Sequence, residues 1–299
     1  MFNTTTSPQR LQVPRDIQAI DKEEHEFELD GWARWDMPTD DYYDITQFPE
    51  SFTGYDGSEV WRFIHDKISF HDDDIAQDDE YDADNWKADF NKAVSGLHSM
   101  ISAQVVRGIE EKIALNEDFD DDCVWVDPKV EFDRRLGPNG NTPQAIENMY
   151  FTYMLLLSAV SVAKDRLLGD CESGMIDEGA AEELLPVLRC GVFSDNAINV
   201  ASRRLCDHAV KDADSISALW EARMRTRELY RIMNCAQCNK CLLHGKISVL
   251  GLSTAFNILL GRKGNGGDMK KIHRVELASL MTTLSKFSSA VQLTQKMSS

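Results

Sequence analysis

The sequence predicts an all-α protein, a single domain with a helical-bundle core and a loop-rich N-terminal segment. Three observations carry this expectation. Apolar residues recur at helical spacing from about residue 86 to the end, strand-type alternation is weak throughout, and the intervening segments are polar, acidic or glycine-containing. At 42% hydrophobic residues in 299, the chain can form a sizeable core and is too apolar for wholesale disorder. Residues 1–45 read as an irregular segment packing on the core, and 46–299 as the helical domain.

In chain order, the first fifty residues are polar, with aromatic islands at Trp32, Trp35, Tyr42 and Tyr43. Met1 to Arg15 holds no apolar run of the signal-peptide kind, so the chain reads as cytosolic or as lacking its leader. Asn3-Thr4-Thr5 is a glycan acceptor triplet, meaningful only in a secretory compartment. Two acidic tracts, His71 to Asp84 and Glu117 to Asp122, read as solvated loops because like charges repel. Helices are predicted at about 86–115, 144–168, 180–190, 196–212, 215–234, 241–261 and 273–296. Gly264-Asn265-Gly266-Gly267 separates the last two into an antiparallel pair. The stretch Met149 to Ala163 is shorter than the roughly 20 apolar residues a bilayer needs and reads as a buried helix.

Charge narrows the function classes. Lys and Arg total 32 against 50 Asp and Glu, a net charge of −18, which leaves no general basic footprint for nucleic acid. Seven cysteines are too dilute for a small disulfide scaffold, so their spacing decides their use.

The most informative segment is Cys235-Ala-Gln-Cys238-Asn-Lys-Cys241, between a charged helix and an apolar one. Three chemistries fit. A structural zinc site would take Cys235, Cys238, Cys241 and His244, although such ligands are normally separated by a loop. An iron–sulfur run would want a fourth Cys before Pro, where this chain continues Leu-Leu-His-Gly. A redox dithiol needs two thiols in reach of each other at a helix N-terminus, whose dipole stabilises the thiolate.

Four blocks in order also resemble one known family. Arg231 to Cys241 with Gly245 to Leu260, Phe52-Thr53-Gly54-Tyr55 with Trp61, Ser95-Gly96-Leu97-His98, and Asn148-Met149-Tyr150-Phe151-Thr152-Tyr153 resemble motifs of the endoplasmic reticulum oxidoreductin-1 family. The resemblance implies a flavin-dependent thiol oxidase of the endoplasmic reticulum lumen, at most peripherally membrane-associated, that makes disulfides for protein disulfide isomerase. Electrons would pass through the catalytic pair Cys238 and Cys241 and FAD to dioxygen, giving hydrogen peroxide, with no metal. It implies FAD contacts at Thr53, Trp61, Ser95, His98 and Arg135, with Trp61 on the adenine and Arg135 on phosphate, a role suited to a planar cation.

Departures from the pattern matter. Ser51 and Ala145 stand where the family has arginines, leaving Arg134 beside Arg135 to share the phosphate charge. Ser69 and about Asp84 stand where the family has a long-range disulfide. No cysteine precedes Cys123, so the family's N-terminal shuttle pair is missing. The expectation is that leader and shuttle lie outside this chain, that Cys123, Cys171, Cys190 or Cys206 replaces the shuttle, or that the isomerase reduces the inner pair directly. The alternatives in other classes are a Cys3His zinc adaptor and a family member that binds FAD without turnover.

Overall fold

The computed structural model describes residues 58–71, 86–114, 127–136, 142–176, 178–194, 215–234, 239–261 and 272–298. Chain contacts divide the protein into units 1–42 and 43–299, and every described residue belongs to the second. Both acidic tracts after His71, the helix expected at 196–212 and the glycine turn at 264–267 lie outside the described residues.

Eight α-helices and no strand occur among the described residues: α1 Ser58–Ile68, α2 Trp86–Ala114, α3 Pro128–Leu136, α4 Thr142–Glu172, α5 Glu178–Leu188, α6 Ser215–Asn234, α7 Asn239–Gly261 and α8 Arg274–Ser298. A short 3-10 turn, Gly191–Ser194, follows α5. The long helices match expectation. Two short ones, α1 and α3, were not foreseen.

Local chemistry explains their ends. Asp127 accepts the Lys129 amide at 2.8 Å and Pro128 follows it, a side-chain cap with proline at the first helical position, so α3 begins there. At α8 the His273 amide donates to Glu276 Oε2 at 2.9 Å, half of a capping box. Arg225 Nη1 reaches Ile68 O at 2.7 Å and Ser69 O at 3.1 Å, capping the C-terminal end of α1.

The core is a bundle of α2, α4, α7 and α8, in which α4 and α8 each pack on the other three and Phe90 of α2 meets Phe256 of α7 with ring centroids 5.3 Å apart. Phe90, Leu97 and Met100 of α2, Met149, Leu155 and Leu156 of α4, Leu252 of α7 and Phe287 of α8 are all buried there. Helix α6 packs on α7, α3 on α2 and α4, α5 on α4, and α1 on α6 and α2.

Polar seams set the register. Thr152 Oγ1 donates to Asn148 O at 2.8 Å and to Ala93 O at 3.4 Å, tying α4 to α2. Gly96 stands at this crossing, where a Cβ would run into Thr152 Oγ1 and the Asn148 carbonyl. Gly251 does the same for α7 and α8, against Thr283 Oγ1 and Ser279 O. Each glycine buys a helix–helix distance that any side chain would forbid.

Helices α4 and α7 are long and apolar enough to cross a membrane, but half of the apolar window in α4 and 72% of that in α7 is buried inside the protein, as in core helices.

Candidate active site

Helix α1 carries Val60, Trp61, Ile64 and Ile68 on one buried stripe, which presses it against α2 and α6. Trp61 is 1% exposed and stacks on His98 of α2, with ring centroids 4.4 Å apart and planes 8° from parallel. His65, one turn after Trp61, lies 6.0 Å from the Trp61 ring and 5.8 Å from His98. Three aromatic rings thus converge between α1 and α2. The Trp61 indole Nε1–H is buried there without a hydrogen-bond partner.

Electrostatics fix the protonation of this cluster. Burial, His65 and Arg135 together push His98 down to about 3, so its ring is neutral at physiological pH. Burial lowers His65 as well, opposed by Asp66. A neutral ring can stack and can accept or donate one hydrogen bond, depending on its tautomer.

Arg135 stands near the cluster on α3. Glu131 is buried, and its carboxylate accepts from Arg134 Nε at 2.7 Å and from Arg135 Nε at 2.5 Å. The Arg134 hydrogen bond, then that of Arg135, holds the Glu131 carboxyl below its ordinary range, against its own burial. Two cations share one carboxylate, which leaves this group a net positive charge facing a site expected to take an anion.

Cys241 stands in the first turn of α7, which begins at Asn239. Cys235, Cys238 and Thr53 lie outside the described residues, as do Cys123 and Cys206. Cys171 is half-buried and Cys190 exposed, both as free thiols, and burial with Asp170 and Glu172 raises Cys171. His244 is exposed, and no group of three or more potential metal ligands forms among the described residues.

The model of the Endoplasmic Reticulum Oxidoreductin 1 (ERO1) family matches residues 4–294. The chain belongs to the ERO1 family. It is 28% identical over 281 residues to the Ero1-like protein of Drosophila melanogaster, covering 84% of this chain and 56% of that protein. It is 27% identical over 264 residues to endoplasmic reticulum oxidoreductin-1 of Kluyveromyces lactis, covering 83% of this chain and 41% of the relative. The chain therefore spans about half the length of the curated relatives it matches. Among solved structures it resembles Ero1p, described as the source of disulfide bonds for oxidative protein folding in the cell. The TM-score is 0.57 at 22% identity, over 85% of this chain and 64% of that one. This likeness shows the all-helical fold.

Within the ERO1 frame, two of the quoted motifs touch. Gly96 of the Ser-Gly-Leu-His block lies against Asn148 and Thr152 of the Asn-Met-Tyr-Phe-Thr-Tyr block, so the α2–α4 crossing sets the height of Ser95 and His98. Ser95 is half-buried one turn before His98. Ala145 packs on the core from the first turns of α4. Sequence reasoning missed His65 and Glu131. The signal for His65 was its place one turn after Trp61 on a short amphipathic helix, and for Glu131 its spacing of three and four from two arginines.

Proposed function

We propose that this ERO1-family chain is an FAD-dependent thiol oxidase that makes disulfides in a protein disulfide isomerase-type, thioredoxin-fold partner within the endoplasmic reticulum lumen, with at most peripheral membrane association. The observation that carries the reading is the Trp61–His98 stack with its orphaned indole N–H. Buried N–H donors are almost always paired, so one without a partner suits a ligand that brings an acceptor. An adenine ring and a pyrophosphate fit what is present: aromatic faces, a neutral imidazole and the net cationic Arg134–Glu131–Arg135 group.

Trp61 and His98 would hold the adenine end, Arg135 aided by Arg134 the phosphates, and Ser95 and Thr53 would add polar contacts. Cys238 and Cys241 are the redox pair in this reading. A substrate thiolate attacks their disulfide, a mixed disulfide forms, and the second substrate thiol displaces it, leaving the substrate oxidised and the pair reduced by two electrons and two protons. The start of α7 favours the thiolate at Cys241 through its exposed amide N–H groups. FAD, when bound, would supply the two-electron acceptor that this chemistry needs, with dioxygen as the final acceptor and hydrogen peroxide as the product.

The visible spectrum of the purified protein and an oxygen-electrode trace test the proposal. The expected result is a yellow protein whose thiol-dependent oxygen uptake is abolished by Cys238→Ala and by Cys241→Ala. Uptake that survives both substitutions overturns the cysteine assignment. A colourless protein with bound zinc selects the Cys3His adaptor instead, and a yellow one without uptake selects an FAD-binding relative without turnover.

A further inference from the structure

His65 belongs to no motif that carries the family resemblance, yet its ring lies against both members of the Trp61–His98 stack. Its centroid is 6.0 Å from that of Trp61, with planes at 42°, and 5.8 Å from that of His98, with planes at 47°, so it leans on the two rings at once. One side of the imidazole is tied down. Nδ1 pairs with Ser69 Oγ at 3.4 Å, one turn on, and the Ser69 amide donates to the His65 carbonyl at 3.1 Å. Its neighbours on the buried stripe of α1, Val60, Trp61, Ile64 and Ile68, do not titrate. On the α1 side of the stack, a response to pH therefore comes through His65.

We infer that His65 is a positioning residue for the cofactor: its ring buttresses Trp61 and His98 together and keeps the corner they share dry. The inference rests on the reading of this corner as the adenine end of an FAD site. Burial lowers His65 from its ordinary value, against Asp66 of its own helix. From α2 it faces His98, which stays neutral down to about 3 and which also feels Arg135 of α3. From α6, Arg225 lies past Ser69, bonded to the Ile68 and Ser69 carbonyls and, at 3.3 Å, to Glu221. A proton on His65 thus puts a charge beside both rings of the stack, and a charge there demands water. A ligand that covers the corner removes that water. Ligand binding and protonation of His65 therefore oppose each other, and by linkage the affinity falls as His65 takes up its proton.

The test is the dissociation constant for FAD as a function of pH, read from flavin fluorescence on dilution of the holoprotein between about pH 7.5 and pH 5, where an imidazole titrates. Wild type should bind more weakly toward acid, by up to about tenfold per pH unit below the His65 midpoint. His98, neutral down to about 3, adds nothing to that slope. His65→Phe keeps a ring against the stack and should give a flat profile. A flat profile in wild type, or an equal slope in His65→Phe, overturns the inference, because a ring that only fills space would leave the slope untouched. A second measurement uses wild type alone. Followed by NMR in protein labelled at its histidine ring carbons, His65 should titrate lower with FAD bound than after its release, and an unchanged or raised midpoint overturns the inference. Failure of the underlying reading is seen before any titration: a protein that holds no flavin at any pH overturns the FAD site and this role of His65 with it.

Discussion

Trp61 and His98 lie face to face, their planes 8° from parallel, although they come from different helices and are 37 positions apart in sequence, from 61 to 98. The stack holds because the imidazole is neutral: a charged ring beside His65 and Arg135 would meet like charge and lose its hydration. Two consequences are measurable, one through the indole and one through the imidazole.

Trp61→Ala should unfold the α1 corner, costing about 3 to 5 kcal/mol as large buried aromatics do, and the flavin that the proposed function requires should be lost with it. Trp61→Phe separates the two effects. It keeps a ring against His98 and should fold, but lacks the indole N–H, so flavin content per polypeptide should fall. Absorbance spectra and urea melts check both, and undiminished flavin in Trp61→Phe would deny the N–H a ligand.

Acid should loosen the fold through His98. Its folded pKa of about 3 lies below the unfolded value of 6.5, so between these values the unfolded chain binds the extra proton. Stability therefore falls as pH drops from about 6.5 toward 3 and is regained on return. His98→Phe should flatten that window in urea melts recorded across pH. A smaller loss remains at the lower end, where protonation of Glu131 frees its two arginines, because a depressed carboxyl stabilises only while ionised.

Two glycines in α2 should respond in opposite senses to alanine. At Gly96 the new methyl meets the Thr152 hydroxyl and the Asn148 backbone, and the backbone cannot swing aside, so Gly96→Ala should cost about 1 to 3 kcal/mol or more. At Gly108 nothing lies within 4 Å, and Gly108→Ala should stabilise the helix by about 0.5 to 1 kcal/mol. Chemical denaturation of the two variants side by side is sufficient.

Much of this architecture was legible because long helices repeat their pattern. Helices α2, α4, α6, α7 and α8 each run for twenty residues or more, and periodicity over that length outweighs local ambiguity. Helix α3 has nine residues and only Phe132 and Leu136 as buried apolar anchors, too few for a period to show, although Asp127-Pro128 marked its start. Helix α1 did carry a stripe, Val60, Trp61, Ile64 and Ile68, but the polar run on either side masked it. Of the FAD contacts that the family motifs imply, Trp61, Ser95, His98 and Arg135 fall among the described residues, where Trp61 and His98 meet face to face, while Thr53 does not. His65 and Glu131 belong to no quoted motif, and their importance comes from rings and charges brought together by folding. Lys286 and Arg225 were illegible in principle, since each acts on backbone carbonyls of a distant helix.

Arg225 should prove indispensable to α1 and irreplaceable by lysine. Its guanidinium bonds two carbonyls and lies 3.6 Å from the centroid of the Phe70 ring, a combination that needs a planar fork. Arg225→Met and Arg225→Lys should each destabilise by about 1.5 to 3 kcal/mol, the usual worth of charged hydrogen bonds. Flavin retention should fall in parallel, as α1 carries Trp61. Thermal melts followed by flavin fluorescence would show both losses together.

One residue past that cap, Phe70 and Asn91 exchange a pair of hydrogen bonds, amide to carboxamide and carboxamide to carbonyl, each 2.8 Å long. Asn91 thereby imitates a neighbouring strand and sews the chain to α2. The stitching at this corner contains no sulfur. It cannot be unpicked by dithiothreitol or glutathione, nor mis-paired during synthesis. The helix bearing Trp61 is thus anchored by bonds that are blind to the surrounding redox potential.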